Sequence, residues 1–138
     1  MTLDVDAMPI DDGNCFACGP DNPIGLHLQF QRAGPKSVRT HITLARQFQG
    51  WQDVAHGGIV IALLDEAMAH AAGAAGFRGV TASLSTRFRA PVPLGRPLEV
   101  FGEVRWMRRN VLGLVANVSD GDRVLAEGEG HFVSRGPI

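Results

Sequence analysis

"GWQDVAHGGIVIALLDEAMAHAAGAAG", residues 50–76, decides how the chain is read. After Gly58 nearly every residue is small or apolar, proline is absent, and alanine and leucine favour a helix. The pattern predicts a helix from Gly57 to about Ala72, with Gly73 and Gly76 as stop signals. Apolar residues go most of the way round it, which predicts burial on several sides and not on one stripe. Yet Asp65 and Glu66 sit in its middle. A carboxylate in an apolar helix is costly unless it is paired or reaches water, so Asp65 is expected to face a cleft. Glu66 lies about 100° further round. It can pair with His70, four residues on, and is read as structural, with the role of acid held in reserve.

The flanks alternate. "LHLQFQ" (26–31) and "SVRTHITL" (37–44) read as a hairpin with one wet face. "VTASLSTRF" (80–88) sets Val80, Ala82, Leu84 and Phe88 against Thr81, Ser83, Ser85 and Arg87. "PLEVFGEVRWM" (97–107) turns Leu98, Val100, Val104 and Trp106 inward. Residues 111–134 read as two strands joined at Asp120-Gly121, the second with Val124, Ala126 and Phe132 inward. Two strands, one long helix and four strands with hairpin-length links imply an antiparallel sheet. Such a sheet must curl to bury a single apolar helix, an α+β layer architecture. Residues 1–24, rich in Asp, Gly, Pro and Asn, read as an irregular lead-in to one domain over 1–138.

With 138 residues, 45% hydrophobic and 20% charged, the chain suits one globular core. A net charge of −1 gives no reason to expect nucleic acid. "MTLDVDAMPIDDG" is acidic and lacks an apolar core, so it does not read as a signal peptide. The apolar run ending at Asp65 is too short to span a bilayer. A cytoplasmic protein without membrane partners is the expectation, and the sequon at Asn117 is set aside. Cys15 and Cys18 form the one cysteine pair. A CxxC can be a redox pair or half of a zinc site. No second CxxC exists, so a structural turn with two free thiols is the preferred reading and no metal is assigned.

The order of elements and the motif "AHGGIVIALLDEA" (55–67) resemble the hotdog-fold acyl-CoA thioesterases of the PaaI-like branch. "CFACGPDNPIGLHLQF" (15–30) resembles the Cys-containing start of one subgroup. The resemblance covers residues 14 to 134. It implies a hotdog fold, a long central helix wrapped by a curled antiparallel sheet of about six strands. It also implies a cofactor-independent hydrolase of acyl-CoA that works as a homodimer or a dimer of dimers, with sites at subunit interfaces. Its roles fall on His56, Gly57 and Gly58 for the turn that polarises the carbonyl, on Asp65 as base or nucleophile, and on Thr81 as an assisting hydroxyl. Where many relatives carry a side-chain amide this chain has Gly50, leaving Gln49 and Gln52 as candidates. Arg108 and Arg109 fall where relatives often contact the CoA nucleotide. Arg87, Arg89 and Arg96 are further candidates for phosphate.

The chemistry suits these residues. Thioester cleavage passes through a tetrahedral intermediate, and unsatisfied N–H groups at a helix start can bind its oxygen. The helix dipole favours negative charge there, and glycines let a substrate approach the backbone. His56, at about the helix boundary, is read as fixing the turn, with general base as the alternative. From Gly57 to Asp65 is eight residues, a rise of ~12 Å, whereas reacting atoms must come within roughly 3–3.5 Å. Two antiparallel helices, side by side in a dimer, would bring each Asp65 near the other's Gly57. A non-catalytic acyl-CoA or small-ligand binding module on the same fold is the alternative. A hotdog hydratase would need a paired Asp and His on a different motif, which is not found.

Overall fold

The computed structural model describes residues 9–137. Strand β1 spans Gln31–Gly34, β2 Ser37–Thr43, β3 Phe77–Phe88, β4 Pro97–Arg108, β5 Val111–Asp120 and β6 Arg123–Pro137. Helix α1 spans Gly57–Ala74, after a short 3-10 turn at Arg46–Phe48. All neighbouring strands are antiparallel, in the spatial order β1-β2-β4-β5-β6-β3. The strand that follows the helix therefore lies at the far edge, beside the last strand. One central helix and a six-stranded antiparallel sheet were expected from the sequence, and both are present.

Within α1, Val60, Leu63, Leu64, Ala67, Met68, Ala71 and Ala72 are buried. Their spacing of three and four residues makes a stripe, packed on β2 to β6. Each large member contributes about 1.5–3 kcal/mol by leaving water. The stripe is fully enclosed and the flanks of α1 are half-buried, with Ile61 the one exposed position after Gly58. By length and composition α1 could cross a membrane, contrary to the sequence expectation, but here it packs on the sheet. It runs through Gly73 and ends before Gly76, whose φ of +95° suits glycine.

Close seating of helix on sheet depends on Gly102 in β4. A Cβ there would lie 2.3 Å from the Ala67 carbonyl oxygen of α1. No side chain fits while that backbone stays in place.

The side chains of Leu26 and Leu28 are buried, as their alternation suggested, yet residues 26–30 are not a strand. His27 adopts φ +53° and breaks the extended run. Leu26 and Leu28 instead donate their N–H groups to Phe16 and Ala17 of the lead-in, at 2.8 and 2.9 Å. Of the lead-in expected over 1–24, residues 1–8 lie outside the described part and 9–24 form turns without helix or strand.

Three inward assignments are overturned by irregularities in strand pairing. Between Thr81 and Ser83 the register of β3 shifts against β6. An extra residue reverses which side chains face the core, so Thr81 reaches the helix and Ala82 is exposed. A shift between Val104 and Trp106 turns Trp106 outward, 45% exposed and near His131. A shift around Leu125 buries Leu125 and Ala126 and exposes Val124. The β5–β6 turn centres on Gly121-Asp122, one residue later than expected. Glycine at its first central position, φ +60°, is the signature of a type II′ hairpin.

Substituting Gly102 by Ala is expected to lower stability by about 1–3 kcal/mol, the usual effect of overpacking. Urea unfolding of the two proteins measures it, and an unchanged midpoint would show that α1 can lift without loss.

Candidate functional site

The start of α1 is held by a tight loop. Gly50 N–H donates to Val54 O at 2.8 Å, Ala55 N–H to Val92 O at 2.8 Å and His56 N–H to Phe48 O at 2.9 Å. A Cβ on Gly50 would stand 3.0 Å from the His56 Cα, so this crossing leaves little room for a larger residue. Gln49 Oε1 accepts from Asp53 N–H at 3.0 Å and is used within the loop. Asp53 has φ +62°. Gln52 is exposed at the tip, beside Trp51, which is 90% exposed.

His56 is the N-cap of α1, and its Nδ1 accepts from Gly58 N–H at 2.9 Å. The ring therefore holds its proton on Nε2 when neutral. This bond uses the Gly58 donor. Ile59 N–H donates to His56 O, and no described residue accepts from Gly57 N–H. Gly57 is thus the free donor of the His-Gly-Gly turn. The Phe88 ring lies beside it, with Cζ 3.7 Å from where a Gly57 Cβ would stand. Phe88 was missed as a site residue because it read only as the last apolar position of a strand.

Asp65, midway along α1, faces β3. Thr81 Oγ1 donates to its Oδ1 at 2.8 Å. The register shift in β3 makes this contact possible, since unbroken alternation would point Thr81 away. The structure brings Asp65 and Thr81 together and leaves both apart from Gly57, eight residues back along the same helix.

Glu66 faces elsewhere. His70 Nε2 lies 3.1 Å from its Oε1, the pairing expected from their spacing. The His70 ring stacks on Phe30 at 4.8 Å between centroids. Cys15 Sγ is 3.9 Å from the same carboxylate oxygen. Burial pulls the Glu66 carboxyl up, but hydrogen bonds from His70 and Cys18 outweigh it and hold it below its usual range. Burial first, then the bond and charge of Glu66, push the Cys18 thiol far up. Reactive thiols need the reverse. The contact between helix and CxxC left no mark in the sequence, because 48 residues separate Cys18 from Glu66.

Arg108 ends β4 and Arg109 occupies the following turn with φ +58°. Arg108, Val111, Val133 and Val80 form one row across the sheet, next to Thr81. Among the described residues Arg108 and Arg109 have no acidic partner, whereas Arg89 pairs with Glu127 and Arg96 with Asp120. The Arg89 guanidinium lowers the Glu127 carboxyl below its usual range. A groove of about 610 Å³ includes Arg87, Arg89, Arg105 and Glu127, and a second of about 350 Å³ includes Trp106 and His131. Neither includes Gly57, Asp65 or Thr81. Both grooves lie over outward-facing strand residues.

The family model for the thioesterase superfamily matches residues 52–127. A crystal structure of a thioesterase superfamily protein superposes with a TM-score of 0.83 at 30% identity, over 88% of this chain and 60% of that one. This chain thus spans three-fifths of that neighbour's length. The PaaI protein of the Escherichia coli phenylacetic acid degradation operon gives 0.74 at 19% identity, covering 81% of this chain and 82% of that one. A hypothetical thioesterase of Streptococcus pneumoniae, solved with coenzyme A, gives 0.75 at 17%, covering 80% and 90%. That protein has also been solved with an aspartate, and with a threonine sixteen residues further on, changed to alanine. No curated protein matches the chain. The helix and sheet described above are the hotdog fold of these thioesterases.

The two glycines at the helix start should respond differently to substitution. A Cβ on Gly57 meets only Phe88, at an ordinary 3.7 Å, whereas one on Gly58 meets the capping His56 ring at 3.1 and 3.3 Å. Gly57→Ala is expected to keep the melting temperature and Gly58→Ala to lower it, since a disturbed cap costs ~1 kcal/mol of stability. Thermal unfolding followed by circular dichroism makes the comparison.

Proposed function

Since the chain belongs to the thioesterase superfamily, we propose that it hydrolyses an acyl-CoA thioester to the free acid and CoA. The site would be shared by two copies of the chain. The observation that carries this reading is a separation: the free Gly57 N–H and the Thr81-bound Asp65 lie on one helix, ~12 Å apart along its axis. Neither group suffices alone, and one helix cannot close the gap.

A partner is suggested by the sheet edge. β3 has twelve residues, ends the strand order and has β6 on one side only. A long unpaired edge invites another strand. Two β3 edges meeting antiparallel would set two α1 helices side by side in opposite directions. Each Asp65 would then approach the partner's helix start, where Phe88 and Gly57 stand. Pairing two such dimers by their open sheet faces would give the dimer of dimers.

In such a site Gly57 N–H binds the carbonyl oxygen, and the helix dipole stabilises the charge that develops there. Asp65 takes a proton from water as that water attacks the carbonyl carbon. The carbon–sulfur bond breaks, and the proton passes to the departing CoA thiolate. Direct attack by the Asp65 carboxylate is the other route: a mixed anhydride forms as the CoA thiolate leaves, and water attacking its Asp65 carbon frees the acid and leaves labelled oxygen in Asp65 in a single turnover. Thr81 donates to Asp65 Oδ1 and aims the free oxygen. The same separation of sixteen residues divides Asp65 from Thr81 as divides the two altered residues of the pneumococcal protein. Arg108 and Arg109, without acidic partners among the described residues, suit the phosphates of CoA. His56 caps and does not transfer protons; Gln49 is engaged in the loop, while Gln52 remains free to reach a substrate.

Release of free thiol from a panel of acyl-CoAs tests the reading. Asp65→Asn is expected to lower kcat by ~10²–10⁴-fold, the range of a lost general base, with CoA binding retained. Failure of the native chain to turn over any acyl chain, with CoA still bound, would identify a binding module instead. A loss of activity in Glu66→Gln but not in Asp65→Asn would move the acid to Glu66.

The shared site has its own test. Asp65→Asn and Gly57→Pro chains, each inactive alone, are expected to regain activity when co-expressed as a mixed dimer, because one of its two sites is then intact. Active monomers in sedimentation and turnover measurements would overturn the shared site and leave the superfamily assignment standing.

A further inference from the structure

We propose that Cys15, Cys18 and Glu66 form a zinc site that ties the lead-in to α1, with water in the fourth position. Their three donor atoms lie within 4.8 Å of one another, although they come from two distant parts of the chain. The Cys15 Sγ to Glu66 Oε1 distance is 3.9 Å. Zn–S and Zn–O bonds of ~2.3 and ~2.1 Å at a tetrahedral angle require about 3.6 Å between those atoms, so this pair needs only a small inward shift.

The loop is shaped to present both sulfurs. Cys18 N–H points at Cys15 Sγ, 3.5 Å away, and Gly19 N–H donates to Cys15 O at 2.8 Å. At Gly19 a Cβ would fall 2.3 Å from Cys15 N and 2.5 Å from Gly13 O, so this tight turn needs glycine. On the helix side, His70 holds the Glu66 carboxylate and is itself stacked on Phe30. A ligand fixed by a hydrogen-bonded neighbour is the usual outer-shell arrangement of a metal centre.

The donor set selects the metal. Two thiolates with one carboxylate suit zinc, whereas calcium and magnesium take oxygen ligands. The Glu66 side chain is only 15% exposed, and no Arg or Lys pairs with it among the described residues. A divalent ion would supply the charge that this half-buried cluster lacks. The site is separate from the proposed thioester chemistry: Asp65 turns to β3, while Glu66 turns to the lead-in. Its role is a staple, and its test needs no substrate.

The full chain, purified without chelator from zinc-supplemented growth, is expected to carry about one zinc per chain by elemental analysis. The metal-free chain is expected to bind cobalt(II) with a thiolate-to-cobalt charge-transfer band. Cys15→Ser and Cys18→Ser should each abolish that band, and Glu66→Gln should weaken cobalt binding at least ~10-fold. Removing zinc should lower the melting temperature of the native chain. A folded native chain that takes up neither zinc nor cobalt at equimolar concentration overturns the proposal, and this measurement requires no variant. Cobalt bound with no charge-transfer band, or with the band intact in both serine variants, overturns it equally.

Discussion

Everything in this molecule depends on how closely α1 can lie against its sheet. At Gly102 the helix backbone occupies the space in which a side chain would begin. This contact lets Leu63, Leu64, Ala67 and Ala71 bury completely on the strands below. Close packing of this kind makes the position of each helical residue a consequence of the whole core. The rotation that buries Leu64 and Met68 leaves Asp65 on one flank of α1 and Glu66 on the other. Two neighbouring carboxylates thereby acquire different surroundings.

The second constraint is strand parity. A strand reports its inward face by alternation only while its pairing is regular. In β3, β4 and β6 the register shifts once in the region of interest, and side chains beyond the shift point to the other face. Thr81 becomes a partner of Asp65, while Trp106 and Val124 leave the core. Gly128 and Gly130 of β6 lie under Leu64 and Met68, where larger side chains would crowd the helix. A shifted register thus aims a hydroxyl inward, and small residues make room for the helix above it.

The candidate site is divided by its own geometry. One part is a helix terminus with a free donor, closed behind by the His56 cap and flanked by Phe88. The other is a carboxylate held by a strand hydroxyl, near the row that Arg108 begins at the end of β4. Both parts open beside the uncovered edge of β3. The proposed dimer would give this division a purpose, since the two halves would then complement each other across a pair of chains.

The central helix, the antiparallel sheet around it and the likeness to a thioesterase were legible in the linear order of residues. Helix propensity, apolar spacing and turn chemistry act over a few neighbours, and a sequence displays such local effects directly. The pairing of Glu66 with His70 was legible for the same reason. Which face Thr81 adopts, which glycine donor remains free, and how the CxxC turn meets Glu66 were decided only by the tertiary structure. Each depends on strand register or on contacts between residues far apart in the chain, and these are set by packing the whole core at once.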